Sequence, residues 1–162
     1  MSDTNHRSAS FITPEGLLEH WQGHRRLTRR VIAAFPEDAL FTFGLGGMRP
    51  FGMIAHELIG MAAPMVRGLV EDVWTSDDDV TTLTTKATLL ARWDRETRSM
   101  DELWPRIPAA RFQATSVAFG QYEGTTCDLV LYVIDNEVHH RGQGYVYLRA
   151  LGLGPPAFWE RD

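Results

Sequence analysis

Residues 125–150 read TTCDLVLYVIDNEVHHRGQGYVYLRA. The stretch reads as one helix from about Thr125 to Ala150. At 1.5 Å per residue it is roughly 38 Å long, enough to cross a whole domain. Gly152, Gly154 and Pro155-Pro156 follow at once and stop it.

Working back from it, the segment from Arg111 to Glu123 alternates weakly and contains Gly120, which suits a short strand or an extended crossing. Before that, a helix is expected over about Thr84 to Trp104. Leu89, Leu90, Trp93, Met100, Leu103 and Trp104 form its inner side, and Pro105 and Pro108 close it. The run Asp77-Asp78-Asp79 reads as a solvated loop. A further helix runs from Pro50 to about Val70, with Pro64 inside it where a kink is common. The first helix is marked by Thr13 as cap, Pro14 in the first turn and Glu15 at the positive end of the dipole. Leu17, Leu18, Trp21, Leu27, Val31 and Ile32 carry it to Phe35, and Pro36-Glu37-Asp38 turns the chain into a Gly- and aromatic-rich loop, Phe41 to Gly47. The expected fold is therefore all-α: a four-helix bundle over residues 14–162, with one long connection before the last helix and a flexible tail at residues 1–13.

A chain of 162 residues with 44% apolar and 23% charged residues has ordinary globular composition and is not wholly disordered. The formal charge of −5 argues against a general phosphate-binding surface, and the cluster Arg25, Arg26, Arg29 and Arg30 is the one basic concentration, so no nucleic-acid partner is expected. Met1 to Ser10 is polar, and the longest strongly apolar stretch, Leu129 to Ile134, is too short to span a bilayer. The expectation is a cytoplasmic protein without a membrane role. Cys127 is the single cysteine, which excludes an internal disulfide and a multi-cysteine metal site. Any metal must be held by histidine and oxygen donors.

Six histidines bear on that point: His6, His20, His24, His56, His139 and His140. His6 lies in the tail. His20 and His24 share a face at i, i+4 but sit among arginines, which reads as a solvated face hostile to a cation. His56 lies in an apolar stretch flanked at i±4 by Gly52 and Gly60. Glycine within a helix is about 1 kcal/mol worse than alanine, so the pair implies either close helix approach or a cavity beside the ring. A core histidine with ordinary hydrogen-bond partners also satisfies this segment. His140 stacks with Asn136 and Gly144 at i±4 and with Tyr147 at i+7. Two helices that each carry His beside Gly look built to face one another around a polar cavity, for which Tyr132, Tyr147, Gly52, Gly60 and Gly144 are candidate linings. A cation is one way to satisfy such a cluster.

The run from Asp135 to Gln143, followed by Tyr147-Leu148-Arg149, Gly152 and Pro155-Pro156, resembles the closing motif of the DinB-like (damage-inducible, YfiT-related) family. Arg49-Pro50-Phe51-Gly52 with His56 after it, and Phe119-Gly120-Gln121, fit the same pattern. The resemblance implies a four-helix bundle holding a divalent metal ion, zinc or nickel, between helix two and the last helix. It also implies a metal-dependent hydrolase, transferase or isomerase using a small-molecule substrate and a low-molecular-weight thiol. Carried over, the metal ligands are His56, Asn136 and His140. At Asn136 the family has His or Glu, and a neutral amide is a weaker donor for zinc-like ions. Two readings stand: a metal-dependent enzyme, and a metal-poor small-molecule-binding or stress-response module without catalysis. Arg141 and Gln143 are expected to hydrogen-bond neighbouring helices or a dimer partner. Exposed aromatics such as Phe158 and Trp159 leave room for a homodimer.

Overall fold

Thr13, Thr85 and Thr125 start three of the four long helices in a computed structural model that describes residues 11–76 and 78–162. Most of the expected tail, with His6, and Asp77 lie outside the described residues. The Thr13 hydroxyl accepts from the Gly16 N–H and opens α1, Pro14–Ala34. Thr85 and Thr125 form reciprocal capping boxes with Thr88 and Asp128, opening α4, Lys86–Leu103, and α5, Thr126–Ala150. The remaining long helix is α3, Phe51–Glu71. It starts behind Pro50, contains Pro64, and ends on Asp72, whose φ of 56° is the left-handed conformation aspartate tolerates. The expected turn after Pro36 is a one-turn helix, α2, Glu37–Leu40. The acidic run is no plain loop either, since Asp78–Thr82 forms a short 3-10 helix and Asp79 accepts two hydrogen bonds from the Arg92 guanidinium.

Between α4 and α5 the ambiguous segment resolves as a two-stranded antiparallel hairpin, β1 (Thr115–Ala118) with β2 (Tyr122–Thr125). Phe119 and Gly120 turn it with φ of 53° and 68°, and Gln121 donates back to the Ala118 carbonyl. Both turn residues at positive φ match the twist of an antiparallel pair. A bulky Phe in that region is strained, so surrounding packing must hold it. Its ring meets Trp74 edge-on at 5.5 Å.

The core divides into two apolar clusters. One joins Leu17 and Trp21 of α1, Ala62, Met65 and Val66 of α3, Met100 of α4, and Val130 and Ile134 of α5. The other joins Val31 and Phe35, Phe51 and Leu58, Leu89 and Trp93, and Tyr147 and Leu148. The N-terminal halves of α1 and α5 thus share an end with the C-terminal halves of α3 and α4. The bundle runs up, down, down, up. Residues 104–125 supply the expected long connection before the last helix, but they join neighbouring ends. The segment that travels the length of the bundle is 72–85, which packs beside α3 from Trp74 near Gly68 to Leu83 near His56.

A polar layer separates the clusters. Arg25 is fully buried, its guanidinium 3.5 Å over the Trp93 ring and 3.6 Å from Glu137, which is 1% exposed. Thr28 donates to Glu137 at 2.6 Å, and Arg141 donates to Thr28 and His24. The α1 face expected to be solvated is therefore partly core. The remaining arginines of that cluster each face a carboxylate: Arg26 Glu19, Arg29 Asp94 and Arg30 Glu160. Among the described residues α3 is the one helix apolar and long enough to cross a membrane by length and composition. It exceeds the apolar run singled out from sequence, and 61% of its apolar window is buried inside the bundle.

Candidate functional site

The seam between α3 and α5 brings two of the candidate side chains together. Asn136 and His140 lie one turn apart on α5, and both reach a single side chain on α3, that of Glu57. Its Oε1 is 3.1 Å from His140 Nε2 and 3.3 Å from Asn136 Nδ2. The other oxygen, Oε2, accepts from Arg49 Nη2 at 2.6 Å, just upstream of α3. Arg49 is itself placed by Tyr147, whose hydroxyl donates to the Arg49 carbonyl at 3.0 Å. Burial pushes the Glu57 carboxyl up, but hydrogen bonds from Arg49 and Asn136 and the charge of His140 outweigh it and hold Glu57 below the ordinary glutamate value.

His140 is oriented from behind. Its Nδ1 lies 2.8 Å from Gln143 Oε1, an acceptor, so Nδ1 carries a proton. That leaves Nε2 facing a carboxylate oxygen. A carboxylate oxygen 3.1 Å from that nitrogen leaves room for a hydrogen bond or for a shared cation between the two side chains. A histidine whose far nitrogen donates to a fixed acceptor is also the usual arrangement of a metal ligand. Glu57 and His140 therefore fit a divalent cation as two donors. The third donor is Asn136, which turns its amide nitrogen toward Glu57 here and offers oxygen only after the amide rotates over. Among the described residues no three His, Cys, Asp or Glu side chains converge.

A cleft of about 820 Å³ adjoins this cluster, walled by α3, the hairpin and the first turns of α5. Trp74, Phe119, Tyr122 and Tyr132 supply aromatic walls, while Glu123 and Asp128 supply carboxylates. Met61 belongs to both places, lining the cleft and receiving Asn136 Nδ2 at 3.3 Å on its sulfur. Tyr132, Asn136 and His140 follow at successive i+4 positions on α5, so one seam leads from the cleft to the Glu57–His140 contact.

A family model for the DinB family matches residues 1–162. The chain belongs to the DinB family. Its fold is shared with a DinB-like protein from Bacillus cereus at a TM-score of 0.72 and 18% identity, covering 88% of this chain and 95% of that one. The DinB-like protein YjoA from Bacillus subtilis gives 0.70 at 16% identity, covering 90% and 99%. No curated protein matches.

Within this DinB bundle, the residues singled out from sequence separate. Asn136 and His140 share the site; His56 is turned elsewhere. Its Nε2 donates to the Leu83 carbonyl at 2.9 Å, and its ring packs 5.7 Å from Phe41. Neighbouring helical residues point about 100° apart, and the segment 72–85 claims the His56 direction. Of the candidate linings, Tyr132 and Gly60 border the cleft. Gly52 and Gly144 instead permit close packing: a Cβ would strike the Phe41 ring at Gly52 and lie 2.6 Å from Phe51 at Gly144. Tyr147 is fully buried core, its hydroxyl included, and that hydroxyl donates to the Arg49 carbonyl. Arg141 does hydrogen-bond a neighbouring helix, through His24 and Thr28, whereas Gln143 serves His140 on its own helix. Glu57 and Arg49 were given no role from sequence. The signal Glu57 leaves in the sequence is a lone carboxylate in the apolar first half of α3, one residue beyond His56.

Proposed function

We propose that this chain is a divalent-cation-dependent DinB enzyme, a transferase, isomerase or hydrolase, acting on a small molecule held in the cleft between α3, α5 and the hairpin. The observation that supports it most is the 3.1 Å approach of His140 Nε2 to Glu57 Oε1 with Nδ1 already committed to Gln143. Glu57 and His140 would hold the ion, with Asn136 as the weaker third donor, and zinc or nickel suits this imidazole and carboxylate set. When bound, the ion supplies a Lewis acid that activates a thiol or water. Arg49 fixes the orientation of Glu57, Gln143 that of His140, and the aromatic walls exclude water from a bound molecule. The strained Phe119 turn supports a built ligand wall there. A low-molecular-weight thiol enters as co-substrate in this reading. Cys127, half-buried in the first turn of α5, is about 13 Å from Asn136 by helix rise and does not serve.

A second reading, a metal-poor small-molecule-binding module, is favoured by one specific feature: Arg49 and the Asn136 amide already satisfy Glu57 without an ion. Elemental analysis of untagged protein, followed by zinc and nickel titration, separates the two. Stoichiometric metal or micromolar uptake, abolished by His140→Ala, supports the enzyme. No uptake leaves the binding module.

A further inference from the structure

The cleft beside the Glu57–His140 contact has a charge bias of its own. Its walls hold two carboxylates, Glu123 on β2 and Asp128 in the first turn of α5, and none of the described residues lining it is Lys, Arg or His. Neither carboxylate makes an ion pair among the described residues. Asp128 is fixed in place, since its Oδ2 accepts from the Thr125 hydroxyl at 2.7 Å. An anion entering here would meet two negative groups and no counter-charge.

Aromatic rings face the same space in two pairs. Trp74 and Phe119 meet edge-on at 5.5 Å, and Tyr122 stacks on Tyr132 at 6.0 Å with 26° between the planes. Tyr122 and Tyr132 are half-exposed, so the fold leaves much of each ring uncovered. The face of an aromatic ring is negative, and each face presented to a cation strengthens its binding about two- to fivefold at exposed sites. Rings alone would suit any apolar molecule. Rings beside carboxylates, with no basic group among them, suit a cation with an apolar surface. The volume of about 820 Å³ matches a small organic molecule and far exceeds a bare ion.

With the cleft read as the substrate site, on which this inference rests, we infer that its occupant is an alkyl- or arylalkylammonium compound. The charged head lies against the Tyr122–Tyr132 pair and between the Glu123 and Asp128 carboxylates. Tyr132 precedes His140 by about 12 Å along α5, so the head is recognised away from the Glu57–His140 contact. No ion at that contact is needed to hold it.

Isothermal titration of the full chain, kept metal-free with EDTA, tests this with three probes matched in size. These are benzyltrimethylammonium, 3-phenylpropanol and 3-phenylpropionate. The cation should bind at least about tenfold more tightly than the other two. Glu123→Gln and Tyr132→Leu, both at exposed positions, should each weaken the cation about two- to fivefold and leave the alcohol within twofold. Equal binding of the three probes, or a preference for the anion, leaves the cleft as a ligand site and overturns its charge selectivity. Binding of none overturns both. A chain that takes up no zinc or nickel but still prefers the cation loses the metal-dependent reading and keeps this one.

Discussion

Glu57 of α3 and His140 of α5 meet at 3.1 Å across the seam of the bundle, and each is held from its far side, Glu57 by Arg49 and His140 by Gln143. Neither side chain can withdraw without breaking a second hydrogen bond. The contact is therefore preorganised.

Exchanging the carboxylate tests which residue of α3 belongs to the site. Glu57→Gln should lower zinc or nickel affinity by at least about tenfold, since even changes behind the ligands cost 10–100-fold. His56→Ala should leave affinity within a few-fold, because His56 is engaged with Leu83. Isothermal titration of both variants decides between them, and the reverse order would return His56 to the site.

That distinction marks the limit of what the chain's order conveys. Helix starts were legible because they rest on local chemistry: Thr13 with Pro14, and Thr125 at the head of α5. The pairing of Asn136 with His140 was legible because one helix and one spacing fix it. Which α3 side chain faces them was not. His56 and Glu57 differ by one position, and the choice is made by a segment some 27 residues downstream that captures the His56 ring. Burial of Arg25 and His24 was hidden for the same reason, since their partners Glu137 and Arg141 lie more than a hundred residues away. The two-way explanation of the glycines resolved position by position, through rings that only the tertiary packing brings near.

Two glycine substitutions should have opposite signs. Gly144→Ala places a methyl 2.6 Å from the Phe51 ring, between two packed helices, and should destabilise by about 1–3 kcal/mol. Gly60→Ala meets nothing within 4 Å in mid-helix and should stabilise by up to about 1 kcal/mol. Urea denaturation of the two variants measures both, and equal signs would contradict the assignment of Gly144 to packing and Gly60 to the cleft.

Stability should decline in mild acid through His24. Burial, then the charges of Arg141, Arg161 and His20, lower its pKa from 6.5 to about 3. Between those values the unfolded chain binds a proton that the folded chain refuses, so unfolding becomes easier as pH falls. The loss begins below 6.5, with a slope approaching about 1.4 kcal/mol per pH unit. Above 6.5 both states are neutral at this position and no effect is expected. His24→Gln keeps an acceptor for Arg141 but does not titrate. The difference between wild-type and variant unfolding free energies, measured from pH 7.5 to 5, should show that slope; parallel curves would mean His24 protonates freely in the fold.

The buried layer should behave as a coupled unit. Glu137 is the carboxylate that faces Arg25 at 3.6 Å and accepts from Thr28, while burial lowers the pKa values of Arg25 and Arg141 and Glu137 opposes that lowering. Glu137→Leu strands a cation that is fully buried against Trp93 and should destabilise by about 3–5 kcal/mol. Arg25→Met in the same background removes the stranded charge and replaces it with an apolar chain of similar length. The double variant should therefore recover much of the loss, because the expense of a broken buried pair lies in the partner left behind. Urea unfolding of the two single variants and the double gives the coupling directly. Additive losses would show that Glu137 and Arg25 act independently and that the Thr28 hydroxyl holds the carboxylate without help from Arg25.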